Sequence, residues 1–202
     1  MKIAADISED EMIATFLKGE IGSFRFGERI RHRLTADKQD RRVIDNPNIS
    51  DAAENKYRRS LFGKYRGYGH NTDLFENFPK NIAWKRVMLD ENDLRKLKYI
   101  NYDYWVELSS GSRRVVDGAK NVVAGVEVFR QSNRNFWEAA NIVERGGRFP
   151  EPILVAENAD SPLVVLEGHV RLTAYLMNSE YTPKALSVIV GFSENMGEWD
   201  LY

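Results

Sequence analysis

The 202-residue chain contains no cysteine. Disulfides, thiolate zinc sites and cysteine nucleophiles are thereby excluded, and the absence fits a cytoplasmic location, which is the expected one. Histidine is nearly as scarce. His32, His70 and His169 are the three in the chain, which leaves little material for a zinc site. No stretch approaches the roughly 18 consecutive apolar residues that cross a bilayer as a helix, so no membrane partner is expected. The opening MKIAADISEDEMIATFLKGE lacks the basic start and apolar core of a signal peptide. Nor does charge of one sign dominate, because the formal net charge is -1. Hydrophobic residues at 43% and aromatics at 11% are ample. They can bury the core of one domain, or of a core domain with an appendage.

The even balance conceals an uneven distribution. Residues 25–66 hold twelve Lys and Arg against six Asp and Glu, a local charge of +6, so the remainder of the chain is about -7. Such asymmetry points to an anionic partner for this region. The segments RFGERIRHR and KYRRSLFGKYRGYGH also interleave cations with Phe and Tyr, as nucleic-acid surfaces do. The same pattern describes a solvated helical face, and both readings stay open. Nothing in the sequence specifies an oligomeric state.

Periodicity gives the elements. Residues 8–19 read as a helix capped by Ser8, with Met12, Ile13, Phe16 and Leu17 on one face. A second helix spans about 50–62 after a Ser50-Asp51 cap, and the Gly-rich tract 63–71 reads as a loop. From about residue 80 the text changes. IAWKRVML (82–89) reads as a strand, 90–100 as a helix capped by Asp90, and SSGSRR (109–114) as a polar turn; 115–129 carries no clear pattern. Residues 132–147 form a helix stopped by Gly146-Gly147. PILVAE (152–157) and PLVVLE (162–167) read as a hairpin, HVRLTAYLMNS as a helix, and ALSVIVGF (185–192) as a last buried strand. The expected fold class is α+β: a small mixed β-sheet with packed helices over 81–202, preceded by a mainly helical, basic extension over 1–80.

The junction VVLEGHVRLTAYLM (164–177) concentrates chemistry, with an acid, a glycine, a histidine and an arginine within five residues. The first amides of a helix lack intrahelical partners and carry the positive end of its dipole, so an anion is stabilised there. Gly168 lets a ligand approach the backbone closely. His169 and Arg171 add side-chain donors, and arginine matches phosphate oxygens. Taken alone, Gly-His-x-Arg equally describes a capped helix with a surface arginine.

The surroundings of that box narrow the choice. FWEAANIVERGG, then PEPILVAENADSPLVVLEGHVRLTAYLMN, then PKALSVIV resembles the ParB/sulfiredoxin-like domain family. Its members carry a Gly-ended helix, a Pro-Ile-x-Val strand, a returning strand and an Asp/Glu-Gly-x-x-Arg box on a helix. Pro152, Ile153 and Val155 match the strand; Glu167, Gly168, His169, Arg171 and Ala174 match the box and its helix. The segment 84–100 is similar, more loosely, to the family's opening strand and helix. The resemblance spans about 120 residues, strongly over about 55, and does not reach residues 1–80. It implies that the box cradles the phosphates of ATP, ADP or CTP. Position 170 is Val and cysteine is absent, which excludes the thiol chemistry of the sulfiredoxin branch. The free-serine kinase branch has the most similar box, but with a second histidine where Val170 stands. The ParB branch continues into a helix-turn-helix domain, whereas this sequence ends about ten residues after its last strand, so a ParB-type DNA clamp is not expected.

The expected site therefore comprises Gly168, His169 and Arg171 as phosphate ligands. Arg113 and Ser112 assist from the SSGSRR turn, where a Gly/Ser loop can form a backbone nest for an anion or simply be solvated. Glu167 can orient His169, bind a metal or act as a base, and with His169 it is the candidate catalytic group. No protein metal site is expected. Magnesium held mostly by nucleotide phosphates needs few protein ligands. The expected function is nucleotide binding by a nucleotide-dependent phosphotransferase or NTPase; the alternative is a DNA- or RNA-binding protein, or a nuclease, using residues 25–66.

Overall fold

A computed structural model describes residues 1–23, 25–178 and 180–202. The elements in chain order are β1 (Lys2–Asp6), α1 (Glu9–Glu20), α2 (Gly27–Ala36), α3 (Arg42–Asp45), α4 (Ala52–Arg66), β2 (Ala83–Asp90), α5 (Glu91–Leu94), β3 (Lys98–Tyr99), α6 (Asp103–Leu108), α7 (Val115–Val123), α8 (Arg134–Glu144), β4 (Ile153–Ala156), β5 (Val164–Glu167), α9 (His169–Met177) and β6 (Ala185–Phe192). Two compact units result, one formed by residues 7–80 and the other by residues 1–6 and 81–202.

The larger unit is α+β. Its mixed, open, six-stranded sheet has the order β1-β2-β6-β4-β5-β3. β1 pairs antiparallel with β2 and β2 antiparallel with β6, β4 lies parallel to β6, β4 and β5 form the antiparallel hairpin, and β3 pairs parallel to β5. The strand sequences explain their places. ILVA of β4 is buried at every position, and so are Val188, Ile189 and Val190 in the middle of β6. Continuous burial of this kind marks strands covered on both faces. Val87, Leu89, Leu154, Val165, Val188 and Val190 of the sheet join Leu94, Tyr99, Val115, Leu172 and Tyr175 in one core. A second cluster, Tyr104, Leu108, Val122, Val128 and Phe136, lies among α6, α7 and α8, with Val170 and Met177 of α9 packed against it.

The smaller unit is helical. Ser8 accepts a hydrogen bond from the Glu11 amide at the start of α1, and Asp51 accepts from Ala53 and Glu54 at the start of α4. Phe16, Phe62, Phe75 and Tyr68 interlock at centroid separations of 4.4–6.2 Å. Arg58 is fully buried and reaches the carbonyls of Val43 and Asn48 as well as Glu54, which ties the turn after α3 onto α4.

Three sequence expectations change. The first six residues are not part of a helical extension, because Lys2–Asp6 adds an edge strand to the sheet. Residues 90–100 are not one helix: Asp90 and Asp93 form a reciprocal capping box around a helix of four residues, and the chain then re-enters the sheet as β3. The tract from residue 63 is not all loop, since α4 runs to Arg66 before Gly67 ends it in the left-handed conformation. The unpatterned stretch after 114 begins with α7.

Candidate functional site

β5 ends at Glu167 and α9 begins at His169, with Gly168 as the intervening cap. Gly168 has φ +99°, in the left-handed region that favours glycine. A Cβ there would lie 3.1 Å from the Pro152 Cβ and 3.2 Å from the Arg171 Nη2. The turn therefore requires glycine both for its backbone angle and for the close approach of Pro152 and Arg171. Gly168 has no side chain with which to cap the first turn of α9.

The turn brings Glu167 and Arg171 together. Arg171 is buried, and its guanidinium donates to the Glu167 carboxylate and, at 3.1 Å, to the Pro150 carbonyl. The sequence offers Glu167 the roles of orienting His169, binding a metal or acting as a base. Glu167 turns to an arginine, and that arginine is the box's own. A carboxylate thus already occupies the guanidinium assigned to phosphate.

His169 lies on an aromatic bed. Its ring stacks on Trp105 at 4.7 Å and 16° and on Tyr99 at 6.0 Å and 15°. Tyr99 and Trp105 are themselves stacked at 4.8 Å. The His169 carbonyl accepts from the Thr173 hydroxyl at 2.7 Å, and that hydroxyl lies 2.6 Å from the Tyr99 hydroxyl. Tyr99 is fully buried, and burial raises its phenol well above the ordinary range, so it stays protonated. α7 admits this ring because position 118 is glycine; a Cβ there would meet the Tyr99 hydroxyl at 2.6 Å. The result is an imidazole with a fixed plane at the mouth of the turn.

A second ion pair flanks the first. Arg86 grips Glu151 through two nitrogens at 2.9 and 3.1 Å, and the Ser187 hydroxyl also bonds Glu151. Arg86 pairs with Ile189, Ile189 with Ile153, and Ile153 with Glu167 in the strand register. Both pairs therefore belong to one row across four strands. The Pro150–Pro152 segment runs between them, accepting from Arg171 at Pro150 and from the Ile189 amide at Pro152.

Ser112 and Arg113 do not join this constellation. The Arg113 guanidinium donates to the carbonyls of Tyr99 (3.0 and 2.8 Å), Tyr202 (2.8 Å) and Leu201 (3.3 Å). Its pKa is lowered by burial, the proximity of the Tyr202 phenol acting in the opposite sense. The Ser112 hydroxyl bonds the Ser109 carbonyl and the Asp117 carboxylate, and accepts from the Arg114 amide. Both residues close a turn and hold β3; Tyr99 is the link that connects that turn to His169.

The partners missed in the sequence are Trp105, Tyr99, Thr173 and the Arg86–Glu151 pair. The run YINYDYW (99–105) carried a signal in its aromatic density, but no periodicity assigned its rings to His169. A cleft of about 490 Å³ opens elsewhere, between α8 and the second half of α9, lined by Val123, Trp137, Ala140, Asn141, Ala174 and Met177 among others. No residue of 167–171 lines it. Among the described residues, no group of three or more Asp, Glu and His could hold a metal, and no helix is long and apolar enough to cross a membrane. No protein-family model, curated protein or solved structure matches the chain.

Proposed function

We propose that the turn 167–171 binds the phosphates of a nucleotide (ATP, ADP or CTP) and that Glu167 is an internal anion the phosphate displaces. The observation that carries this reading is the Glu167–Arg171 pair beside the start of α9, whose cap residue is glycine. An anion is already stabilised at that point, by the guanidinium and by the positive end of α9. A phosphate offers more charge and more acceptor oxygens than a carboxylate. Arg171 keeps its place during the exchange because Pro150 also holds it. His169, fixed on Trp105, supplies the second donor. Magnesium, held mainly by the nucleotide's own phosphates, would neutralise the charge that gathers there. Displaced from Arg171, Glu167 becomes available to a hydroxyl or to that magnesium ion, and it stands with His169 as the candidate catalytic pair. The order strand, glycine, histidine, helix further supports likeness to the ParB/sulfiredoxin-like fold, within which this would be a nucleotide-dependent enzyme.

Thermal unfolding with ATP, ADP and CTP, each with magnesium, tests the proposal. At about 100 times Kd, binding should add about 2.7 kcal/mol to stability. Arg171→Ala should abolish the shift. Since that change leaves Glu167 buried without its partner, the paired change Glu167→Gln with Arg171→Gln provides the control: it keeps two hydrogen-bonding side chains and removes both charges. A folded double variant with an undiminished shift would remove Arg171 from the site. No shift with any of the three nucleotides at millimolar concentration would overturn the function.

A further inference from the structure

The helical unit, residues 7–80, contains fourteen Lys and Arg against twelve Asp and Glu, so its net charge is small. The pairing of those charges is not uniform. Arg33 is matched with Asp37, Arg41 with Asp45, Arg42 and Arg58 with Glu54, Arg59 with Glu9 and Asp10, and Arg66 with Glu20. Six of the twelve acids of the unit are taken up by these arginines. Eight of its cations lie outside these pairs, and two of those meet in one place.

That place is the ring of Tyr65 on α4. The Arg29 guanidinium of α2 lies 5.4 Å from its centroid and the Lys64 ammonium 5.8 Å from it. Neither cation has an ion pair among the described residues. The Tyr65 hydroxyl donates to the Arg29 carbonyl at 3.3 Å, which fixes the ring against α2. Glu28 is the next residue in sequence and is exposed, but it is not paired with either cation. Asp37, the other nearby acid, is held by Arg33 at 2.6 Å and by the Tyr57 hydroxyl at 3.0 Å. Two like charges therefore share one aromatic ring. Each gains from the ring's quadrupole, but their mutual repulsion is not offset by a carboxylate, and an incoming anion would relieve it.

We infer that this α2–α4 face binds the phosphodiester backbone of a nucleic acid, with Arg29 and Lys64 as two phosphate contacts preset by Tyr65. Exposed Arg25, Lys38 and Lys56 of the same unit are further cations outside the ion pairs named above. A guanidinium suits phosphate oxygens, and an ammonium adds a point charge. A lipid surface is the other polyanion to consider. Membrane-surface helices bury large apolar side chains beside their cations. Among the described residues, the exposed large hydrophobics (Met1, Ile3, Tyr102, Val123, Val126, Phe129, Trp137 and Ile142) all lie outside residues 7–80. The observations therefore favour nucleic acid. This inference is independent of nucleotide binding at residues 167–171, and the two can fail separately.

The test is fluorescence anisotropy of the full chain with labelled single-stranded DNA, single-stranded RNA and duplex DNA, titrated from about 50 to 200 mM salt. Binding should weaken steeply with salt in at least one series, and which series binds identifies the nucleic acid. Each phosphate contact contributes about 0.7–0.9 to the slope of log K against log salt. Arg29→Gln with Lys64→Gln should lower that slope by roughly two such contacts and weaken binding at least tenfold, with far-UV circular dichroism unchanged. Lys64→Gln alone is the fallback should the double variant misfold, and should remove about one contact. Tyr65→Leu keeps both charges but removes their seat, so affinity should fall several-fold. Arg134→Gln, in an exposed pair with Glu138, is the control and should leave binding unchanged. Nucleic-acid binding that is absent, salt-independent or identical in the double variant would overturn the inference. So would binding of phosphatidylserine vesicles in place of nucleic acid.

Discussion

Two turns of this protein look alike in sequence and differ in what their arginine does. SSGSRR at 109–114 and LEGHVR at 166–171 each set an arginine a few residues after a glycine. Among the described residues, Arg113 donates to backbone oxygens of Tyr99, Leu201 and Tyr202. Arg171 faces one carbonyl, from Pro150, and one carboxylate, from Glu167. Carbonyls cannot leave without unfolding the backbone that carries them, whereas a carboxylate on a side chain can rotate away. The first arrangement is a clamp and the second is an ion pair, which the proposed function requires to open. Arginine in a Gly-containing turn is therefore uninformative until its counter-groups are known.

The comparison breaks most readily at Arg113. Arg113→Ala deprives three backbone carbonyls of a charged donor. Hydrogen bonds to charged groups contribute about 1.5–3 kcal/mol, so a loss of about 2–3 kcal/mol is expected. For a chain of this size that lowers Tm by roughly 4–12 °C. Arg113→Lys should restore only part of it, because an ammonium cannot span the donors of a planar fork. Nucleotide binding, measured as the ligand-induced shift in Tm, should survive in both. If the shift disappeared while the apo Tm stayed constant, Arg113 would belong to the site after all.

At the other turn, Gly168→Ala should be the most costly single-atom change. A left-handed conformation costs a non-glycine residue about 1–2 kcal/mol, and the new Cβ meets Pro152 and Arg171 at 3.1–3.2 Å. Stability and nucleotide affinity should fall together, because the same atom strains the turn and covers the cradle. Unfolding with and without nucleotide separates the two effects. Loss of stability with affinity intact would move the phosphate away from this turn.

Glu167→Gln is expected to act in the opposite direction. It removes the competing charge at constant shape, so nucleotide affinity should rise about tenfold, equivalent to about 1.4 kcal/mol. Apo stability should fall, since Arg171 then loses its carboxylate. Isothermal titration calorimetry at matched salt measures the affinity. Weaker binding in the variant would mean that the carboxylate holds the ligand itself, for example through a ribose hydroxyl.

Local signals made part of this legible in the sequence. The Ser8 and Asp51 caps, the β4–β5 hairpin and the strand-Gly-helix junction each depend on neighbours in sequence. The junction's glycine was legible too, because Gly168 is demanded by its own backbone. Long-range pairing was not readable. β1 is five exposed residues whose only organising partner is β2, eighty residues away. β3 is two residues long and exists because β5 lies beside it. The stacking of His169 on Trp105 likewise joins residues with no common period. Arg113 misled for a related reason: a side chain's partners can be distant carbonyls, and nothing in SSGSRR marks them.

The smallest effect concerns Ser112, the weaker member of the clamp turn. Its hydroxyl lies 2.9 Å from the Asp117 carboxylate, which Lys120 also approaches at 3.1 Å. Burial pushes the Asp117 carboxyl up, but the hydrogen bonds from Lys120 and Ser112, with the charges of Lys120 and Arg114, outweigh it and hold the pKa below the usual carboxylate value. A depressed folded pKa contributes stability that is present above the unfolded value, about 3.9, and is lost as pH falls through the folded one. Ser112→Ala removes one of these hydrogen bonds. The Asp117 pKa, followed through its carboxyl carbon by NMR, should move up towards the ordinary value, and stability above pH 5 should fall by about 1 kcal/mol or less. The acid-side loss of stability should begin at the same pH as in the parent but be smaller and end at a higher pH. Nucleotide binding should be untouched, since the hydroxyl serves the turn and not an anion. Reduced nucleotide affinity with an unmoved Asp117 would reverse the assignment and make the two Gly-containing turns halves of one site.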